Sequence, residues 1–195
     1  SSDLGVLYYN NEFTGMEIKA YPYAKTGALE IEEGTTIIPT GAFKYAKFTE
    51  VLVPHTVTEI HANAFQSCSN LTKITFLVAP EGVAEVPLTV KDKAIYSCSK
   101  LESVTLPARL TSFGVNTIYS CSALSSIDVA GTGGNYTAKG EAGRKVLCNA
   151  AGDTIIFCPK GMSGEFTVPN GITTIAANAF QSCNKLSKVT IPGFV

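Results

Sequence analysis

The chain contains 195 residues, of which 45% are hydrophobic and 16% are charged, and its formal net charge is −1 at pH 7. This length allows a large buried core, whereas the balanced charge excludes the basic surface on which nucleic-acid binding depends. The longest uncharged apolar stretch, residues 74–80, is too short to cross a bilayer. The first residues do not resemble an export signal, so we expect any such signal to have been removed or never to have been present.

Residues 1–27 are predicted to form an N-terminal β-hairpin. Two apolar segments, 5–9 and 18–22, are joined by a longer connection, and this pattern is typical of two paired strands. The residues that follow indicate a duplicated module, because three positions return at one constant interval: Pro22, Gly34 and Phe43 correspond to Pro159, Gly171 and Phe180.

Residues 28–129 are predicted to form four turns of a repeat about 23 residues long. The heptapeptide Ala-Asn-Ala-Phe-Gln-Ser-Cys at 62–68 returns unchanged at 177–183. Weaker copies place apolar residues at matching positions, namely Ile95, Cys98, Leu101 and Val104, then Ile118, Cys121, Leu124 and Ile127. Self-similarity at a fixed period is typical of solenoids, in which each unit is covered by its neighbours.

Each repeat has two physical parts. Residues 71–76 end with apolar side chains at alternate positions, which predicts a short strand with one buried face. The preceding pattern, Phe65-x-x-Cys68-x-x-Leu71, has a spacing of three and predicts a tight helical turn. The predicted class is therefore an α/β-type solenoid, mostly β, which coils right-handed and has a short parallel sheet on one face.

Two segments interrupt the period. Seven extra residues between Phe76 and Val90, with two prolines and one glycine in this stretch, predict a surface loop. Residues 130–164 begin with a glycine-rich stretch and continue as two apolar segments around a turn, which predicts an inserted β-hairpin. Residues 165–195 form the fifth repeat. We therefore expect one solenoid over residues 1–195, with two β-hairpins inserted in it.

The repeat resembles the BspA-like leucine-rich repeats, which occur in surface proteins of anaerobic host-associated bacteria and of some parasitic protists. The family pattern combines Leu-x-x-Ile-x-Ile-Pro, here residues 186–192, with an Ala-Phe-x-x-Cys motif, here residues 179–183. This chain departs from the pattern at Ala46, Ile95, Thr117 and Ile118. The resemblance implies a secreted or surface-anchored protein whose repeats bind other molecules, with no catalytic residue to carry over.

The six cysteines are predicted to be free thiols. Cys68, Cys98, Cys121 and Cys183 share one repeat position, where stacked side chains run parallel about 4.8 Å apart and do not converge as a disulfide requires. The other two, Cys148 and Cys158, lie on opposite arms of the inserted hairpin. A symmetrical turn places Cys148 opposite Thr154, so a bridge between Cys148 and Cys158 is the less favoured alternative. No C-x-x-C pattern indicates zinc.

No motif in the sequence indicates catalysis, a metal or a cofactor. The only histidines, His55 and His61, correspond to Asn170 and Ala176 in the matching turn, so we expect exposed surface side chains. Residues 161–164 are one residue short of a nucleophile elbow. We predict that the chain is not an enzyme and that it binds neither a metal ion nor a cofactor.

The exposed face of the parallel sheet is the preferred candidate for a binding surface. Its outward side chains are mostly hydroxyls with sparse charge, and hydroxyls at strand spacing could hydrogen-bond to a peptide or a glycan. Solenoids often bind through such an extended face, although Ser and Thr also suit an exposed strand that binds nothing. The candidate ligand-binding residues are Glu50, Lys73, Thr75, Ser103, Thr105, Ser126, Asp128, Lys188 and Thr190.

Two other surfaces are alternative recognition sites, since aromatic side chains and loops often carry recognition. One is the insertion at residues 80–87. The other is a set of tyrosines that we expect to be exposed, namely Tyr8, Tyr9, Tyr21 and Tyr23.

The resemblance and the composition together favour a non-enzymatic interaction or adhesion module of a secreted or cell-surface bacterial protein. The expected partners are host matrix proteins, glycans or other cells, recognised by shape and hydrogen bonding more than by charge. The alternative is a structural spacer or scaffold segment of a larger surface protein. Nothing in the sequence predicts the oligomeric state.

Overall fold

A computed structural model describes residues 5–22, 24–114 and 116–195, and these residues form a β-solenoid. Tyr23, one of the candidate tyrosines, lies outside the described residues. The strands are, in chain order, β1 (Leu7–Asn11), β2 (Gly15–Ala20), β3 (Thr26–Glu30), β4 (Thr35–Ile38), β5 (Lys47–Val53), β6 (Glu59–Ile60), β7 (Lys73–Phe76), β8 (Leu88–Val90), β9 (Ile95–Tyr96), β10 (Ser103–Pro107), β11 (Leu110–Ser112), β12 (Ile118–Tyr119), β13 (Ser126–Ala130), β14 (Tyr136–Lys139), β15 (Val146–Asn149), β16 (Thr154–Phe157), β17 (Gly164–Thr167), β18 (Thr174–Ile175) and β19 (Leu186–Thr190).

From β2 to β8, successive strands alternate between two sheets, so each of these turns contributes one strand to each sheet. The six-stranded sheet has the order β1-β2-β4-β6-β8-β11, in which β1 and β2 are antiparallel and the other neighbouring strands are parallel. The five-stranded sheet, in the order β13-β10-β7-β5-β3, is parallel throughout. Strands β9 and β12 form a separate parallel pair.

The second part of the chain repeats this arrangement after an antiparallel meander of β14, β15 and β16. Strand β16 then pairs in parallel with β18, and β17 pairs in parallel with β19. The predicted boundary between the N-terminal hairpin and the first repeat, at 27/28, falls within β3. The predicted boundary between the inserted hairpin and the fifth repeat, at 164/165, falls within β17. Both strands pair in parallel, as the other solenoid strands do. In the meander, Cys148 lies opposite Ile155 and not opposite Thr154, and a register shift between Leu147 and Cys148 places Leu147 opposite Phe157.

The turns between strands are not helical, contrary to the helical turn that the spacing of three predicted, and the described residues contain no helix. In the repeat at 62–68, Asn63 and Ser67 have φ angles of 59° and 56°. Residues other than glycine enter this left-handed region singly, and a right-handed helix cannot continue through them. The conformation recurs at the matching position of other turns, at Tyr45, Ser97, Ser120 and Ser182.

Aromatic side chains of neighbouring turns stack in the core. The Phe43 and Phe65 rings are 5.2 Å apart and inclined by 19°. Tyr21 packs edge-on against Phe43 and Phe48, with ring centroids 5.3 and 5.5 Å away. The prediction that Tyr21 is exposed is therefore wrong: its ring closes this aromatic cluster and is 6% exposed.

The repeat cysteines connect each turn to the one before it. Cys68 Sγ donates to the carbonyl oxygen of Phe43 at 3.1 Å, and Cys98 Sγ donates to that of Phe65 at 3.0 Å. All six cysteines are free thiols. Burial raises the pKa of the Cys148 thiol to about 11, and hydrogen bonding to Cys98, together with burial, raises the pKa of Cys121. These two side chains therefore remain neutral at physiological pH.

The last turn is covered on one side only. Within the described residues, β19 pairs with β17 and with no other strand. Val189 of β19 is 37% exposed, whereas Ile74 and Val104, at the matching positions of inner turns, are each 1% exposed. Likewise, Phe180 is half-buried although Phe65, in the identical heptapeptide, is completely buried. Burial in this fold is therefore set by neighbouring turns and not by the local sequence.

We predict that Phe65→Ala lowers the free energy of unfolding by about 3–5 kcal/mol, the usual cost of removing a fully buried phenylalanine. Phe180→Ala is the matched control, because it removes the same side chain from the same heptapeptide. We expect the control to cost less than half as much, since Phe180 already contacts solvent. Urea unfolding of the two variants measures both values, and equal losses would contradict the dependence on neighbouring turns.

Candidate functional site

The outer face of the five-stranded sheet brings together the candidate residues of four adjacent strands. Two rows cross these strands, side by side in register, and we call them the outer rows. The first row consists of Glu50, Lys73, Ser103 and Ser126, and the second of Leu52, Thr75, Thr105 and Asp128. Because neighbouring strands are about 4.8 Å apart, each row presents one side chain at every step of that length.

Five polar side chains of the outer rows have neither a hydrogen-bond partner nor an ion-pair partner within the described residues. They are Glu50, Lys73, Thr75, Ser103 and Thr105. Threonines elsewhere behave differently: the hydroxyls of Thr58 and Thr72 donate to carbonyl oxygens of the preceding turn, at 3.1 and 3.0 Å. Hydroxyls in the turns therefore stabilise the stack, whereas those at the centre of the outer rows remain available to a ligand.

The inserted hairpin at residues 130–164 closes one end of the outer rows. The backbone N–H of Lys145 donates to Ser126 Oγ at 3.2 Å, and Lys145 Nζ lies 2.6 Å from Asp128 Oδ2. The N–H of Ile127 in turn donates to the carbonyl oxygen of Lys145. Ser126 and Asp128 thus hold the inserted segment in place, which distinguishes them from their neighbours in the rows.

Lys188 and Thr190 do not join the outer rows. They lie on β19, opposite Glu165 and Thr167 of β17, and these two strands form a sheet separate from the five-stranded one. Lys188 Nζ forms an exposed ion pair with Glu165 Oε2 at 3.2 Å. The repeat pattern gives these two residues the same phase as the candidate residues of the outer rows. The inserted hairpin at residues 130–164, however, separates their sheet from the rows.

The two histidines are partly buried beside carboxylates, so the prediction of exposed side chains is wrong. His55 Nδ1 lies 3.2 Å from Glu33 Oε1, and His61 Nε2 lies 3.0 Å from Glu59 Oε2. A carboxylate from the same or the preceding turn covers each ring. Among the described residues, no three histidine, cysteine or acidic side chains come together as a metal site would require.

The tyrosines at the N-terminal hairpin do not form one surface. Tyr9 is 52% exposed, and the Nζ atom of Lys19 lies 5.4 Å from its ring centre. Tyr8 is half-buried, and its hydroxyl accepts a hydrogen bond from the N–H of Glu32 at 3.1 Å. One of these rings therefore faces solvent while its neighbour supports the next turn.

The insertion at residues 80–87 is fixed to the solenoid by Arg109, whose role the sequence did not indicate. The side chain of Arg109 is 2% exposed, and its Nε atom lies 3.3 Å from Glu85 Oε2. Its Nη atoms donate to the carbonyl oxygens of Val57 at 2.6 Å, Val86 at 3.3 Å and Pro54 at 3.2 Å. Burial lowers the pKa of Arg109, and the nearby Glu85 carboxylate partly offsets this effect.

Comparison with known families identifies the repeat. Six copies of the BspA type leucine-rich repeat region match residues 36–136 and 156–195, which is more than half of the chain. The chain belongs to the BspA-type leucine-rich repeat family. The gap between the matched ranges contains β15, the middle strand of the meander. The inserted hairpin at residues 130–164 therefore interrupts an otherwise continuous series of repeats.

Solved structures share the fold at low sequence identity. The pneumococcal vaccine antigen PcpA is 20% identical with a TM-score of 0.60, and the match covers 84% of this chain and 39% of PcpA. A leucine-rich repeat protein from Eubacterium ventriosum is 22% identical with a TM-score of 0.55, covering 98% of this chain and 61% of that protein. This chain therefore spans less than two thirds of each of these proteins. No curated protein matches it.

The described residues include no helix that is long and apolar enough to cross a membrane.

We predict that Arg109→Met releases the insertion at residues 80–87 from the solenoid while preserving much of the buried side-chain volume. Without the guanidinium, Glu85 loses its ion-pair partner. Because local opening governs proteolytic cleavage of a folded protein, a glutamate-specific protease should cut at Glu81 or Glu85 at least about tenfold faster than in the parent. Limited proteolysis followed by mass spectrometry identifies the site. Arg144→Met is the control, since Arg144 donates to the carbonyl of Glu165 instead. Unchanged cleavage in Arg109→Met would contradict the proposed tether.

Proposed function

We propose that the chain is a non-enzymatic binding module of a secreted or cell-surface protein and that the outer rows contact its ligand. The observation that carries this proposal is the set of five polar side chains at the centre of the rows that have no partner among the described residues. Glu50, Lys73, Thr75, Ser103 and Thr105 are held by in-register strands. Their geometry is thus fixed before a ligand binds, which reduces the entropy cost of binding.

The dimensions of the face favour an extended ligand. Five strands about 4.8 Å apart span about 19 Å, and a five-residue strand is about 16 Å long, so the face has an area of roughly 300 Å². A stable protein–protein interface buries about 800 Å² on each partner. A peptide segment or a glycan chain fits this area better than a globular protein does, and several copies of the module would increase the avidity.

The charges of the rows favour recognition by hydrogen bonding. Glu50 lies beside Lys73 in the first row, so the two charges offset each other, and the remaining free groups are hydroxyls. Such a face provides little long-range attraction for a charged partner. Host matrix proteins, mucosal glycans and the surfaces of other cells are the partners that we propose, and likeness to a pneumococcal vaccine antigen supports a location at or outside the cell surface.

The test compares the parent with a variant that combines Lys73→Ala, Thr75→Ala, Ser103→Ala and Thr105→Ala. The matched control combines Lys91→Ala, Thr40→Ala, Ser112→Ala and Thr173→Ala, which removes the same residue types from positions outside the outer rows. We expect at least about a tenfold loss of affinity in the first variant only, because several hydrogen bonds of about 1 kcal/mol each are lost.

Binding is measured on immobilised fibronectin, collagen and laminin and on an array of mucin-type glycans, after circular dichroism has verified that both variants are folded. A probe that binds the parent and the control but not the row variant supports the proposal. Equal binding by all three proteins would place the contact elsewhere. Absence of binding to every probe at high micromolar concentration would contradict the proposal and favour the structural spacer.

A further inference from the structure

A cleft of about 320 Å³ opens beside the turn that connects β16 to β17. This volume is at the lower end of the range for small-molecule sites. One wall is the turn that follows β12, and the other is the turn that precedes β19. The residues on which the argument depends are Tyr119, Ser122, Lys160, Ser182, Asn184 and Lys185, and we call this feature the Lys160 cleft.

The cleft exists because the turn between its walls is drawn inward. The N–H of Gly161 donates to the carbonyl oxygen of Leu124 at 2.6 Å. A Cβ atom at Gly161 would lie 2.4 Å from the carbonyl carbon of Ala123, so only glycine allows this approach. The turn that contains Gly161 therefore lies closer to the turn after β12 than any side chain at position 161 would allow. Lys160 lies between the two turns that form the walls of the cleft.

Lys160 is held in the cleft by an aromatic ring. Its Nζ atom lies 4.2 Å from the ring centre of Tyr119, and the Tyr119 ring packs against Tyr96 at 5.9 Å. A lysine over a tyrosine face is stabilised by the ring's negative π surface. Burial lowers the pKa of Lys160. No carboxylate within the described part of the chain forms an ion pair with Lys160, so its three N–H donors remain available to an anion.

A second ammonium group lines the same cleft. Lys185 Nζ donates to the carbonyl oxygen of Ser122, 63 positions earlier in the chain, at 2.8 Å. This hydrogen bond joins the two walls and uses one of the three N–H groups. The described residues that line the cleft include no aspartate or glutamate, while Ser122, Ser182 and Asn184 contribute neutral polar groups. The cleft therefore combines two positive charges with hydroxyl and amide groups.

We propose that the Lys160 cleft binds a sugar residue that carries an anionic group, either a carboxylate or a sulfate. Lys160 and Lys185 contact the anion, since hydrogen bonds to a charged group are the stronger ones. Ser182 and Asn184 hydrogen-bond to the hydroxyls of the sugar. This site is independent of the outer rows, which contain none of these residues, so either proposal can fail without the other.

The experiment titrates the ¹⁵N-labelled chain with glucuronate, glucose 6-sulfate, glucose and inorganic sulfate while amide shifts are recorded by NMR. We expect saturable shifts at Ser122 and Asn184 with one or both acidic sugars and none with glucose. Lys160→Gln should weaken the binding about tenfold or more, the effect of losing one charged contact. The control, Lys91→Gln, removes a lysine directly after β8 and should leave the affinity unchanged.

A comparison of glucuronate with glucose 6-sulfate identifies the preferred anion. Binding of inorganic sulfate as tight as that of either acidic sugar would overturn the recognition of the sugar, and Asn184→Ala should weaken only the sugar ligands. Absence of saturable shifts would overturn the site as a whole. An equal loss of affinity in Lys91→Gln and Lys160→Gln would also overturn it, because it would indicate unspecific attraction to positive charge.

Discussion

The fold depends on one constraint: no turn of this chain can bury its own apolar side chains, so each must be covered by the turns beside it. Phe65 and Phe180 stand in identical heptapeptides, yet only the first is completely buried. The hydrogen bonds from Cys68 and Cys98 to the preceding turns follow the same rule. The unit of stability is therefore the interface between turns, as in other quasi-one-dimensional proteins.

Stacking in register also creates the surfaces that we propose to be functional. Where the turns are regular, outward residues of β5, β7 and β10 are aligned into rows of polar groups that the fold does not use. Where the meander interrupts the series, the alignment ends and Lys145 covers the edge of the rows at Ser126 and Asp128. The shifted turn at Gly161 then leaves a cleft with a different character, in which two lysines replace the balanced charges of the sheet.

The sequence predicted the repeat and the phase of its strands well, because alternation of apolar residues at 71–76 reflects burial directly. It could not predict the shape of the turn, since a spacing of three suits both a helix and a turn interrupted by left-handed Asn63 and Ser67. Nor could the sequence show that Lys188 lies outside the outer rows. The phase of the repeat does not reveal that the inserted hairpin separates the sheet of β17 and β19 from the five-stranded sheet. Arg109 carries no repeat signal, and its role depends on a loop that folds back on it.

Hydrogen exchange at single residues tests most directly whether neighbouring turns supply the stability. We compare the amide of Ile74 in β7 with that of Val189 in β19. Strand β7 has a paired strand on both sides, whereas β19 pairs on one side only within the described part of the chain. The account predicts that Ile74 exchanges at least about a hundredfold more slowly, close to the rate set by global unfolding. Equal protection of the two amides would contradict it, since each turn would then be stable without cover on both sides.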